Sequence, residues 1–276
     1  MGIKQTALEG FFKPVIGRNT RFRDVHKGET CYIFGNGASL KSMDISVFSN
    51  QLSIGLNFIG LHNDLDLLQM PYYVIPAPKF LYPFYRNPYT HKIQLNPTSR
   101  AFARSIKRFP DINLFTSISN IFGYRSSGHN FYMHDFGCKS PDIKHYDLAG
   151  RFSFMKGGFY AGLGLALYMG FSKAVLVGCD YFFTPRQNRH FYAKGKPARS
   201  EETENIYGGL VEQIKDSIDL KLITDDSRSD HLPYETYEEF SGRKLCYREN
   251  TELVSREYLD YFDKAHQMGL FQNAIY

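Results

Sequence analysis

Apolar and polar residues along the chain alternate in short blocks that end, again and again, at a turn residue. Cys31-Tyr32-Ile33-Phe34 is a run of strand formers closed by Gly35-Asn36-Gly37, and Leu52-Ser53-Ile54-Gly55-Leu56 closes at Asn57. Tyr72-Tyr73-Val74-Ile75 closes at Pro76. Farther on, Gly157 to Met169 is apolar on every side and predicts a buried helix, and Ala174-Val175-Leu176-Val177-Gly178 has the continuous β-branched character of a strand covered on both faces. A helix passing straight into such a strand implies a parallel sheet. The pattern also predicts a helix over Ser99 to Lys107, a strand over Ile112 to Phe115, an amphipathic helix over Glu201 to Ile218, a strand over Leu220 to Thr224 and a closing helix over Glu252 to Met268. Phe80 to Gly150 is aromatic and Pro-rich and reads as an elaboration that shapes a pocket. The expectation is one α/β domain, Rossmann-like, with a mostly parallel sheet flanked by helices.

Two segments stand apart from that rhythm. Residues 1–28 carry Lys4, Lys13, Arg18, Arg21, Arg23 and Lys27 among a few apolar positions and read as a basic N-terminal arm, either a solvated extension or a contact to a membrane surface. The domain then runs over residues 29–276, with residues 182–200, polar and basic around Pro185, Gly195 and Pro197, as a lid.

Composition narrows the classes. An apolar share of 43% supplies a core, and the net charge of +5 is spread thinly, so small anions or a membrane face suit it better than nucleic acid. The four cysteines Cys31, Cys138, Cys179 and Cys246 lie far apart with no C-x-x-C pair, which reads as reduced thiols and a cytoplasmic protein. Met1 to Lys13 has no continuous apolar stretch of the kind a secretory signal needs. Gly157 to Phe171, the longest apolar run, is shorter than the roughly 20 residues that span a bilayer. Met1-Gly2-Ile3-Lys4-Gln5-Thr6 fits the short myristoylation pattern, with nothing else in the sequence to support it.

Candidate chemistry gathers at the strand ends. Gly35-Asn36-Gly37-Ala38-Ser39-Leu40 directly follows the first strand: its glycines let the backbone approach a phosphate and Ser39 can cap a following helix. It lacks the third glycine of a dinucleotide fingerprint and the Lys of a P-loop. Asn57 at the second strand's end either reads a ribose or base or is a turn asparagine, and Gly157-Gly158 either open helix amides to a phosphate or allow close packing. Asp180, beyond the buried strand, is a group for orienting a histidine, binding a hydroxyl or capping a turn, and His190 in the lid is a candidate general base. Asp64-Leu65-Asp66 has the spelling of a metal triplet but no strand end to sit on, and His129, His134 and Asp135 lack further ligands, so no metal site is expected.

In order and spacing, Gly35 to Lys41, Asn57, the Gly-Gly-led helix ending Leu167-Tyr168-Met169-Gly170-Phe171, and Val177 to Phe182 resemble the bacterial sialyltransferases that use CMP-sialic acid. The resemblance spans roughly Thr30 to Thr224 and extends to a wider superfamily of motility-associated accessory factors and an archaeal-type hydroxymethylpterin diphosphokinase. It implies an inverting, metal-independent glycosyltransferase with no cofactor beyond its nucleotide-sugar substrate and a cell-surface glycan as acceptor. Asn36 and Asn57 would contact CMP, Gly157 or Gly158 the donor, and Tyr181 or Tyr192 would assist the leaving phosphate. The chain departs from that family in several places. Ala77 stands where an asparagine follows the third strand, Arg151 and Lys156 only approximate an arginine before the helix, and Phe182 replaces a lid tyrosine. Ala198, Arg199 and Ser200 occupy the place of the family's histidine base, leaving His190 as the nearest substitute. Two other readings remain open: a diphosphokinase-like enzyme, and a nucleotide- or glycan-binding module without catalysis.

Overall fold

The computed structural model describes residues 3–86, 91–125, 129–135, 141–200 and 207–267. Eight strands form its main sheet: β1 Thr30–Phe34, β2 Ser53–Leu56, β3 Tyr72–Ile75, β4 Asn113–Ser117, β5 His129–Met133, β6 Lys173–Val177, β7 Asp219–Thr224 and β8 Tyr234–Thr236. Their order is β8-β7-β6-β1-β2-β3-β4-β5, with every neighbouring pair parallel. The chain winds outward from β1 to β5, then returns to lay β6 against the other side of β1. That reversal leaves a crevice between the carboxyl ends of β1 and β6, the place where open α/β sheets bind ligands. This is the α/β, Rossmann-like domain expected from the sequence.

Helices cover both faces: α1 Ile3–Ile16, α2 Pro97–Ile106, α3 Gly158–Tyr168, α4 Gly208–Ile214, α5 Tyr237–Ser241, α6 Asn250–Leu253 and α7 Arg256–Gln267. Successive strand residues point to opposite faces, so Cys31 and Ile33 pack under α3 while Tyr32 and Phe34 join the layer of α2 and α7. On β6 the same alternation sends Ala174 and Leu176 one way and Val175 and Val177 the other. α3 is buried all round, which is why its sequence has no polar face. α2 begins two residues before its expected start because Asn96 accepts a hydrogen bond from the Ser99 amide and Pro97 fits the first turn. The single closing helix expected over Glu252 to Met268 is two, α6 and α7, separated at Val254 and Ser255. Of the helix expected over Glu201 to Ile218, α4 is observed, and residues 201–206 lie outside the described residues.

The basic arm does not stand apart from the domain. Ile16 is buried, Asn19 donates to the carbonyls of Tyr132 and Leu148 at 2.8 and 2.9 Å, and Phe22 lies edge-on to Phe115 and Phe131 at 5.0 and 4.6 Å between centroids. Ile16, Asn19 and Phe22 are therefore part of the core under β4 and β5, while Arg18, Thr20 and Arg21 between them are exposed. No helix among the described residues is long and apolar enough to cross a membrane.

Candidate active site

The β1 and β6 turns meet backbone to backbone. The Gly35 amide donates to the Val177 carbonyl and the Gly37 amide to the Gly178 carbonyl, both at 2.8 Å. A Cβ on Gly35 would overlap the Gly178 carbonyl, and one on Gly37 would overlap the Asp180 carboxylate. The glycines are thus required by the close approach of two loops of the same chain, and of this turn only Asn36 reaches the cleft. Ser39 is inside the short 3-10 helix Ala38–Lys41 instead of capping it; its amide and hydroxyl both donate to Asp180, at 2.8 and 2.6 Å. Asp180 is buried beneath the cleft floor, where loss of solvent pushes its carboxyl up to about 7 against the opposing pull of the Ser39 bonds. Asp180 is not the N-cap of its own short helix, Asp180–Phe182; its hydrogen bonds go to Ser39 of the facing loop.

Asn57 closes β2 in the left-handed region, φ 49°, one of the few non-glycine residue types that tolerate it. Its amide donates to the Val74 carbonyl at 3.0 Å, and its carbonyl accepts from the buried Tyr73 hydroxyl at 2.5 Å. With the backbone so fixed, the side chain lies against Gly158 at the start of α3, where any Cβ would overlap the amide nitrogen of Asn57. Gly157 precedes α3 in an extended conformation and offers no side-chain cap. The first intrahelical bond from this start is that of the Ala161 amide to the Gly157 carbonyl, so the amides before it are open to a ligand at the positive end of the helix.

These pieces surround a cleft of about 520 Å³ at the carboxyl edge of the sheet. Asn36, Asn57, Lys156, Gly157 and Gly158 supply its polar side. Phe58, Ile75, Pro76, Ala77, Pro78 and Phe80 form its apolar wall, and Tyr181, His190 and Tyr192 complete the lining, with Tyr192 edge-on to Phe58 at 5.6 Å. Among the described residues the buried Asn36 carboxamide oxygen has no hydrogen-bond partner. His190 is half-buried and bridges to Gly37, its ring stacked on Tyr192 at 5.0 Å, and Tyr192 stacks in turn on Phe262 at 4.8 Å. Burial holds the His190 imidazole below its ordinary value, opposed by a hydrogen bond with the Asn36 backbone. Tyr181 is partly exposed, its ring 5.8 Å from that of Tyr207, and burial of its hydroxyl raises its pKa.

The expected lid is a tethered structure. Gln187–Asn188 pairs with Ala198–Arg199, and the turn between them is held from below by Lys41, which donates to the carbonyls of Ala193 and Gly195 at 2.6 and 2.7 Å. Lys41 is 1% exposed, and loss of solvent lowers its pKa, with Glu249 at 3.7 Å pulling the other way. Asn250 adds a bond from its side chain to the Tyr192 carbonyl at 2.9 Å.

Seven of the residues singled out in the sequence thus converge on one cleft: Asn36, Asn57, Gly157, Gly158, Tyr181, His190 and Tyr192. Gly35, Gly37, Ser39 and Asp180 lie behind it as the joint between two loops. Phe182 is fully buried in the core, and Arg151 bonds to His145, away from the cleft. The lid cations Arg186, Arg189, Lys194, Lys196 and Arg199 do not line it either. Phe58 and Phe80 were missed; Phe58 had a signal in its place next to Asn57 at a strand end. Asp64 and Asp66, the triplet spelling, pair with Arg248 and Arg108 at 2.7 and 2.9 Å. Among the described residues no three His, Cys, Asp or Glu side chains come together as a metal site would require. No protein-family model, no curated protein and no solved structure matches the chain.

Proposed function

We propose that the protein is an inverting glycosyltransferase that moves a sugar, sialic acid or a related nonulosonate, from a CMP-activated donor to a glycan acceptor of the cell surface. One observation carries the reading: residues from five separated stretches, Asn36, Asn57, Gly157-Gly158, Tyr181 and His190-Tyr192, line the same cleft at the point where the sheet reverses direction. The uncapped start of α3 with Lys156 suits a phosphate, and the orphaned Asn36 oxygen with the Asn57 carboxamide suits the donors and acceptors of a cytidine. A cleft of this size accommodates a nucleotide with its sugar.

In the proposed reaction the glycosidic C–O bond to CMP breaks as the acceptor oxygen attacks the anomeric carbon from the opposite face. CMP leaves with the bonding pair, its charge met by the helix start and Lys156. The acceptor proton passes to His190, whose depressed pKa keeps it neutral and able to accept one at neutral pH. Tyr181 and Tyr192 flank the departing phosphate. The free thiols of Cys31, Cys179 and Cys246 accord with work in the cytoplasm.

Calorimetric titration with CMP, CDP, UDP and ATP, followed by turnover assays with CMP-sugars, tests this. Binding of CMP with release of CMP from a CMP-nonulosonate is the expected result. Turnover of a hydroxymethylpterin with ATP in place of any CMP-sugar reaction would install the diphosphokinase reading, and CMP binding with no turnover would leave a binding module.

A further inference from the structure

The loop that forms the apolar wall of the cleft continues, beyond Pro78 and Phe80, into a two-stranded hairpin, Phe84–Arg86 with Ile93–Leu95. Phe84 pairs with Leu95 and Arg86 with Ile93, so the two-residue period of a strand sets all four on one face. The apolar side chains of that face are largely exposed: Phe84 is 56% exposed, Ile93 75% and Leu95 54%. Phe122, 81% exposed, stands on the next loop, which is fastened to the root of the hairpin by the Tyr124 amide to the Leu81 carbonyl at 2.7 Å and the Leu81 amide to the Asn120 side chain at 2.9 Å. Single exposed apolar residues are ordinary, whereas four large ones on two adjoining loops are not.

The stretch of chain that carries them is predominantly basic. From Leu67 to His134 the sequence holds eight Lys and Arg and a single acidic residue, Asp111, while the rest of the chain carries more carboxylates than cations. Arg104 and Arg108 of this stretch pair with Glu257 and Asp66. Lys79, Arg86, Lys92 and Arg125 belong to the same two loops as the apolar side chains, and Lys79, Arg86, Lys92 and Arg125 are exposed. Projecting aromatic and aliphatic side chains framed by cations are what a protein needs to sit in the interface of an anionic bilayer: the apolar groups enter the headgroup boundary and the cations stay with the phosphates.

We propose that this face, Phe84, Ile93, Leu95 and Phe122 with Arg86 and Lys92, is a docking surface for an anionic lipid bilayer. It lies on the loop that lines the cleft, so docking brings the cleft mouth to the membrane surface, where lipid-anchored acceptors would be within reach. The surface is independent of what the cleft binds, and its test uses no turnover assay.

The chain contains no Trp, so one introduced residue reports its own surroundings. Phe84→Trp and Phe122→Trp are expected to show blue-shifted emission, quenched by brominated lipid, on mixing with phosphatidylglycerol–phosphatidylethanolamine vesicles and not with phosphatidylcholine vesicles; Phe11→Trp in α1 is expected to show neither. In co-sedimentation of the otherwise unaltered chain, Phe84→Ser with Ile93→Ser is expected to lower vesicle partition by roughly a hundredfold. Arg86→Glu with Lys92→Glu is expected to lower it by roughly tenfold, and salt to weaken what remains. Equal unfolding midpoints of these surface variants show that folding is untouched. No partition onto anionic vesicles, a response from Phe11→Trp alone, or a concentration-dependent dimer abolished by the serine variant would each overturn the proposal, the last because it would assign the face to a second copy of the chain.

Discussion

The carboxylate of Asp180 accepts two hydrogen bonds from Ser39, one from the amide at 2.8 Å and one from the hydroxyl at 2.6 Å. The pair locks the loop after β6 to the loop after β1, directly behind Asn36. It is also made at a cost, since an ionised carboxylate in that position has lost its solvent.

That cost gives a pH signature. The Asp180 pKa lies at about 7 when folded against an ordinary 3.8, so between these values the folded chain holds a proton that the unfolded chain has lost. Stability from this group is fully present below the unfolded value and falls as pH rises toward the folded one, by about 4 kcal/mol across the window. Urea midpoints measured from about pH 4 to pH 8 should show this component in the native chain and lose most of it in Asp180→Asn; an identical pH dependence in the two would refute the assignment.

Gly158→Ala isolates the contact between α3 and Asn57. Alanine is a better helix former, so the helix itself gains, but the new Cβ overlaps the Asn57 side chain, which has to leave the cleft. The expected outcome is CMP affinity reduced by roughly tenfold or more, with the thermal midpoint changed by no more than a few degrees. Unchanged affinity in calorimetry would show that Asn57 does not touch the nucleotide.

For His190, kcat/KM of CMP-sugar turnover should rise with pH through an apparent pKa below the ordinary histidine value, in keeping with the burial that depresses it. His190→Ala should lower kcat by about 10² to 10⁴ while leaving CMP affinity within a few-fold. A variant with full activity would remove His190 from the reaction.

Lys41→Met tests the anchor beneath the tethered lid. Two carbonyls, of Ala193 and Gly195, lose a charged donor, and a loss of roughly 2 to 3 kcal/mol in stability is expected. Hydrogen exchange should accelerate at Phe191 to Gly195 ahead of the sheet strands. Uniform acceleration would instead place Lys41 in the global core.

The sequence was most legible where local sterics dictate the answer. β1, β2, β3 and β6 could be read because runs of mostly apolar strand formers end abruptly at Gly35, Asn57, Pro76 and Gly178, and the cleft residues Asn36 and Asn57 stand at such ends. β5 and β8 escaped because edge strands need no continuous apolar run: His129-Asn130 and Tyr234-Glu235-Thr236 look like loop. Phe22 and Asn19 escaped for a different reason, since their partners on β4, β5 and the loop at Leu148 are distant in sequence. The roles of Ser39 and Asp180 were visible only as chemistry-bearing side chains; that they satisfy each other is a tertiary fact with a separation of 141 residues.

That long separation bears on how the chain acquires its cleft. β1 can pair with β2 as soon as both exist, but its other neighbour, β6, begins at Lys173. During synthesis the first five strands can assemble while one side of β1 remains an open edge, the sort of edge that invites wrong pairing. Closing it brings Gly178 against Gly35 and Asp180 against Ser39 in a single step, so the ligand cradle is among the last parts of the molecule to exist.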